Sequence, residues 1–208
     1  MFRRQVWLSM LLAALASAGC ADKMVTLQYA PDPSFTPLNS AQSITVFQFA
    51  DRRGSEGDRD LYRVGGVYGG YGNRLAKVMT GTPWPRTLAL ALTAGFKARG
   101  IEAVAVGDRE FTLGTAFTTL LALAGEIRNL STESRWSTSA HISGIVRLYD
   151  AKGGVLVEKT ISERETWGLG AGVLMSTEPL EETLNKALVG FVRKVVNDPD
   201  IIETLLAR

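Results

Sequence analysis

One cysteine and one histidine are all that this 208-residue chain has of the two side chains most used for metal binding and nucleophilic catalysis. A single cysteine excludes any disulfide within the chain, so the core must be held by packing alone. With one histidine, a metal site would have to be completed by carboxylates, and zinc chemistry is excluded as a leading expectation. The chain also lacks an excess of one charge. Its net charge of +2 owes two positive side chains to Arg3 and Arg4; without them, 21 basic face 21 acidic groups. No basic face for displacing counterions is indicated, so nucleic acid is not an expected partner. Long apolar runs are missing too. Val6–Leu15 is the longest, broken by Ser9, and is too short to cross a bilayer.

What is present at the N-terminus explains that run. Two arginines, a short apolar stretch and the small residues Ala16-Ser17-Ala18-Gly19 form the order of a secretory signal. Cys20 follows at once, and Ala18-Gly19-Cys20 reads as the end of a bacterial lipobox, whose thiol takes a diacylglyceryl group. Ser17 stands where such motifs usually carry leucine. Cleavage after Ala18 by an ordinary signal peptidase, leaving Cys20 as a free thiol, is therefore the alternative. Lipidation would consume the one unpaired thiol of an exported chain. By resemblance to sorted lipoproteins, Ala21 rather than aspartate after the cysteine implies the outer membrane, on its periplasmic side.

Three segments are expected: a cleaved signal over 1–19, a lipidated Cys20 with a proline-bearing tether over 20–42, and one globular domain over 43–208. Pro31, Pro33 and Pro37 stiffen the tether. Ser43–Ala50 is rich in strand formers. Seven of the ten residues from Asp51 to Asp60 are charged, which reads as a solvated loop. Leu61–Val64 returns as a short strand, Gly65–Gly72 follows as a Tyr/Gly loop, and Arg74–Thr80 is extended. Thr82 is the expected N-cap of a helix whose face carries Leu88, Ala91, Leu92, Gly95 and Phe96 and whose end is Gly100. Ile101–Val106 and Leu120–Ser131 read as strands. Ala140–Tyr149 alternates apolar and polar residues, turns at Asp150–Gly154 and returns through Val155, Val157 and Ile161 as a hairpin. A helix from Ser176 or Thr177 to Asn197 bears the stripe Leu180, Leu184, Leu188, Phe191, Val192, Val195. Asp198-Pro199 starts a short last helix.

The expected fold class is α+β: an antiparallel sheet, with a mixed sheet as the alternative, covered on one face by two amphipathic helices. The strand running into Asp51-Arg52-Arg53, the Leu88–Gly100 helix, the Gly-Gly hairpin and the helix ending in Asn197-Asp198-Pro199 together resemble the YajG family of bacterial lipoproteins. The resemblance spans Ser43 to Leu206. It implies a location and a fold, not a reaction, and carries over no site residue beyond Cys20.

Candidate chemistry is sparse. Gly65–Gly72 matches neither a phosphate loop nor a dinucleotide fingerprint, because no Lys-Ser or Lys-Thr follows it. It reads as a flexible Tyr/Gly surface loop; the functional alternative is a binding loop in which Tyr62, Tyr68 and Tyr71 contact a partner protein or stack on a glycan. His141, beside Ser143 on the polar side of its strand, reads as a solvated histidine. Glu163 and Glu165 share a strand face, as glycosidase acids can, but flank Arg164 and read as a solvated edge. Trp84, Trp136 and Trp167 read as core or rim packing, with a ligand surface near the sheet ends as the alternative. No catalytic residue, cofactor or metal is expected. The functional expectation is a membrane-anchored, non-enzymatic binding or accessory module contacting an envelope protein or glycan. The alternatives are an acid-dependent envelope enzyme acting on peptidoglycan or glycan, and an accessory of lipid or lipopolysaccharide transport, which would need an apolar cleft.

Overall fold

A long strand with a different partner along each stretch of one edge organises the molecule. A computed structural model describes residues 21–38, 42–54, 60–112, 114–115, 117, 119–168 and 176–207. In chain order these form β1 (Lys23–Val25), β2 (Ser43–Gln48), β3 (Ala50–Asp51), β4 (Arg63–Tyr68), β5 (Arg74–Thr80), α1 (Trp84–Ala98), β6 (Glu102–Glu110), β7 (Leu121–Ser134), β8 (Thr138–Asp150), β9 (Val155–Trp167), α2 (Glu178–Val196) and α3 (Pro199–Leu206). Strand β7 pairs antiparallel with β8 along its whole length, and β8 with β9. On its other edge β7 runs parallel to β2, then β3, then β4. The sheet forks there. One branch continues from β2 to β6, the other from β4 through β5 to β1.

The fold is therefore α+β with a curled, mixed sheet, and the antiparallel expectation is corrected. Only β4–β5, β7–β8 and β8–β9 are antiparallel among the described strands. The parallel pairs join strands well separated in the chain, such as β2 and β6 with β4, β5 and α1 between them, as parallel neighbours require a crossover connection. Strand β2 is covered on both faces, with Ile44, Thr45, Val46 and Phe47 all buried, as parallel strands commonly are.

Helices α1 and α2 lie on one face. The expected α2 stripe from Leu180 to Val195 is buried in full. It packs with Leu88, Leu92 and Phe96 of α1 against Ile127, Ile142, Val146 and Leu148. Helix α1 starts at Trp84 with Pro83 at its cap and no side-chain cap bond, so Thr82 does not play the expected part. Its end is as read: Gly100 has φ +76°, and the amide of Ile101 donates to the carbonyl of Phe96. Asp198 caps α3 by accepting from the amides of Asp200 and Ile201. Val155 is exposed, whereas Ile161 is in the core, so only the second half of β9 faces α2 as expected. A smaller cluster occupies the opposite face of the sheet. Phe47 meets Phe111 and Phe117 edge-on, and Phe111 lies 4.3 Å from Tyr149 between ring centroids.

The expected tether is not a free spacer. Lys23–Val25 adds to the β5 edge in parallel register, with Val25 buried. The amides of Thr26 and Gln28 donate to Glu181 and Asn185 of α2, at 2.9 and 2.8 Å. Leu27, Tyr29, Phe35 and Leu38 pack on the main core. Prolines here shape a docked strap, and the apolar residues between them supply its grip.

Candidate functional site

The fork in the sheet leaves β7 residues 128–131 without a strand on one side, because β3 stops at Ile127 and β4 begins at Thr132. Arg53 fills the gap. Its Nη1 donates to the carbonyls of Arg63 (2.7 Å) and Leu130 (3.3 Å), and its Nη2 to that of Asp60 (3.0 Å). Its Nε and Nη2 also grip Asp51 through both carboxylate oxygens, at 2.9 and 2.8 Å. The guanidinium lies 4.8 Å above the Trp84 ring. A planar fork of five donors is suited to this work: one reaches the Leu130 carbonyl left unpaired on β7, and the others find the Arg63 and Asp60 carbonyls and both oxygens of Asp51. The charged run is thus partly buried at Asp51 and Arg53; its residues 55–59 fall outside the described part.

Beside this plug opens a cleft of about 230 Å³, lined among others by Arg63, Tyr68, Arg128, Asn129, Ser131 and Glu133. That volume is below the roughly 300–1,000 Å³ of sites for drug-sized ligands. It suits a single polar group, such as a peptide side chain or one sugar ring. Gly65 and Gly66, expected in a loop, are in β4 at the cleft wall. A Cβ on Gly65 would stand 2.0 Å from the carbonyl oxygen of Thr132, so glycine is required by the approach of two backbones. Tyr68 folds its ring over Gly66.

The true turn is at 69–73. Tyr71 at its tip is fully exposed (103%). The β7–β8 turn lies alongside: the Trp136 ring, 72% exposed, lies over Gly70, and the Arg135 guanidinium sits 5.2 Å from the Tyr68 ring. Trp167, opposite Thr138, ends β9 at the same edge of the sheet. Tyr62 is not part of this group. It lies before the far end of β4, whose six residues span about 20 Å, so the three tyrosines are not one surface.

The remaining candidates are dispersed. His141 Nε2 lies 3.0 Å from the Ser162 hydroxyl on the side of the sheet away from the helices. Glu163 is not on a solvated edge. It is buried under α2, against Gly190, and paired with Lys194 at 2.5 Å. Glu165 lines a shallow surface cleft with Glu182, Lys186 and Arg193. Trp84 is core. Cys20 lies outside the described residues. Among the described residues no group of three or more His, Cys, Asp or Glu could hold a metal, and no helix is long and apolar enough to cross a membrane. The apolar void between Leu27, Trp84, Leu88 and Leu188 measures about 10 Å³, room for one water molecule at most and not for an acyl chain.

No family model and no curated protein matches the chain. Solved structures do. A Xanthomonas campestris protein of the DUF330 family superposes with a TM-score of 0.58 at 12% identity, over 84% of this chain and 92% of that one. This likeness shows the fold. A Neisseria meningitidis lipoprotein matches 70% of this chain and 96% of its own, at 15% identity and a TM-score of 0.38. The resemblance to the YajG family stands as an expectation from the sequence.

Proposed function

We propose that the chain is a lipid-anchored protein of the bacterial cell envelope, held through Cys20 at the periplasmic face of the outer membrane, and that it acts by contact rather than by catalysis. The observation that carries this reading is the Ala18-Gly19-Cys20 motif directly ahead of a docked segment. Asp22 accepts a hydrogen bond from the amide of Lys77 in β5 (3.2 Å), and Lys23–Val25 pairs with β5. A lipid on Cys20 would hold the domain close to the bilayer. The side chains with chemical potential are otherwise engaged: Glu163 with Lys194, and Arg53 with Asp51 and three carbonyls. The contact surface is the polar cleft at the fork, with Tyr68 on its wall, and its partner is an envelope protein or glycan presenting one polar group.

Labelled palmitate and fractionation test the anchor. Wild-type chain takes label and stays with membranes, and Cys20→Ser does neither; an unlabelled, soluble wild type contradicts the anchor. In-cell crosslinking tests the cleft. Ser131→Trp, which fills it, reduces capture of the partner, while joint replacement of His141, Glu163 and Glu165 by alanine preserves the cellular phenotype. A folded triple variant without function would favour the acid-dependent enzyme instead.

A further inference from the structure

The docked strap fixes a direction as well as a position. Because β1 runs parallel to β5 and pairs Lys23 with Val78, the chain upstream of Asp22 enters from the Arg74 end of β5. That end carries the 69–73 turn. Two residues of chain reach at most about 7 Å, so Cys20 cannot stray far from Asp22. From Lys77 back to Arg74 is about 10 Å of strand. The N-terminal direction of β1 therefore points toward the end bearing Tyr71, Trp136 and Trp167, and covalent reach would keep a lipid-bearing Cys20 within about 7 Å of Asp22.

The chemistry of that end suits one environment. Trp136 and Tyr71 are the two most exposed large apolar side chains described, and Leu75 beside them is 40% exposed. Arg74 and Arg135 are exposed around them, with Arg135 held on the Tyr68 ring. Tryptophan and tyrosine settle at the headgroup level of bilayers, where an apolar ring with a polar edge is at home. Arginine there meets lipid phosphates. Of the other exposed large apolar side chains, Leu120 and Val155 lie at the opposite end of the β7–β9 strands, and Met24, Leu61, Tyr62, Leu90, Val104 and Leu206 are spread over β1, the approach to β4, α1, β6 and α3. Resting on the proposed anchor at Cys20, we infer that the two hairpin tips are a membrane-seating surface: Tyr71 and Trp136 insert into the phospholipid headgroup layer beside the lipidated cysteine and hold the sheet upright on the bilayer.

Lipoprotein extracted from membranes and reconstituted into phosphatidylethanolamine/phosphatidylglycerol vesicles with brominated acyl chains tests this. In a Trp167→Phe background Trp136 is the exposed reporter, and buried Trp84 sets the baseline, read from Trp136→Phe/Trp167→Phe. Seating predicts a blue shift and loss of most Trp136-dependent emission. Tyr71→Ser reduces that loss. A photo-crosslinker at position 71 should yield lipid adducts in cells. Protein that pellets with vesicles, carries its lipid and shows an unquenched Trp136 overturns the seating while leaving the anchor intact; so does a crosslinker at 71 that captures protein or a second copy instead of lipid. A chain without lipid that stays in the supernatant overturns both the anchor and the seating.

Discussion

Arg53→Met removes the plug at the fork while keeping most of the side-chain stem. Asp51 and Arg53 are nearly buried, with 5% and 12% of their side chains exposed. Without the guanidinium, the Asp51 carboxylate is left as an uncompensated buried charge, and three carbonyls lose a donor in a gap no strand fills. Breaking a buried ion pair from one side costs about 3–5 kcal/mol, against a total stability of roughly 5–15 kcal/mol for a domain. For a chain of this length that lowers the melting temperature on the order of 10 °C. Arg53→Lys keeps the charge but cannot reach both carboxylate oxygens and the carbonyls together, so it lies between wild type and Arg53→Met. In Asp51→Asn/Arg53→Met no charge is stranded, and the double variant should be more stable than Arg53→Met alone. Urea unfolding of the Cys20→Ser chain, followed by tryptophan emission, measures this chain, these three variants and Asp51→Asn alone. An unchanged midpoint for Arg53→Met, or a double variant whose loss is the sum of the two singles, refutes the role of the pair.

Leu188 is 3% exposed on the α2 stripe, so Leu188→Asp buries a charge with no partner and should cost on the order of 4 kcal/mol or more; a wild-type melting curve would remove α2 from the core. Gly65→Ala drives a methyl to 2.0 Å from the Thr132 carbonyl oxygen, and chemical-shift changes should spread through β4 and β7 with a drop in stability; silent spectra would contradict the close approach. Burial, reinforced by the Asp32 carboxylate, pushes the Tyr29 phenol from its ordinary 10.0 up to about 12. The folded state therefore holds the phenolic proton more tightly than the unfolded state does. The resulting stabilisation is complete below pH 10 and is lost as pH rises through about 12. Tyr29→Phe should flatten that part of the stability–pH curve relative to wild type, and identical slopes would mean the strap is not docked.

Periodicity made the helices and the central hairpin legible, because α2 and β8 each present one apolar face to one layer. The strand formers of Ser43–Ala50 made β2 legible as a strand, but its burial on both faces, Ile44–Phe47, is seen only in the fold. Pairing direction was not legible: it depends on which distant strand is free at the β7 edge, which local pattern does not encode. The strap is not legible because its apolar residues, Leu27, Tyr29, Phe35 and Leu38, recur at no fixed period and are separated by prolines. By composition Gly65-Gly66 reads as loop. In a strand the same residues mark close backbone approach, and the flanking Val64 and Val67 were the available signal. Arg53 was hidden in a charged run. Nothing in that run tells a guanidinium that replaces a missing strand from one in water. Of the three tyrosines, only Tyr68 and Tyr71 share a surface, and Trp136 joined them through a turn that sequence spacing could not place.

The account turns on whether the mature chain begins at a lipid-bearing Cys20. Mass spectrometry of the N-terminal peptide of protein taken from membranes answers this directly. The account predicts a peptide starting at Cys20 and carrying the added mass of a diacylglyceryl group. A peptide starting at Gly19 with an unmodified cysteine would contradict it.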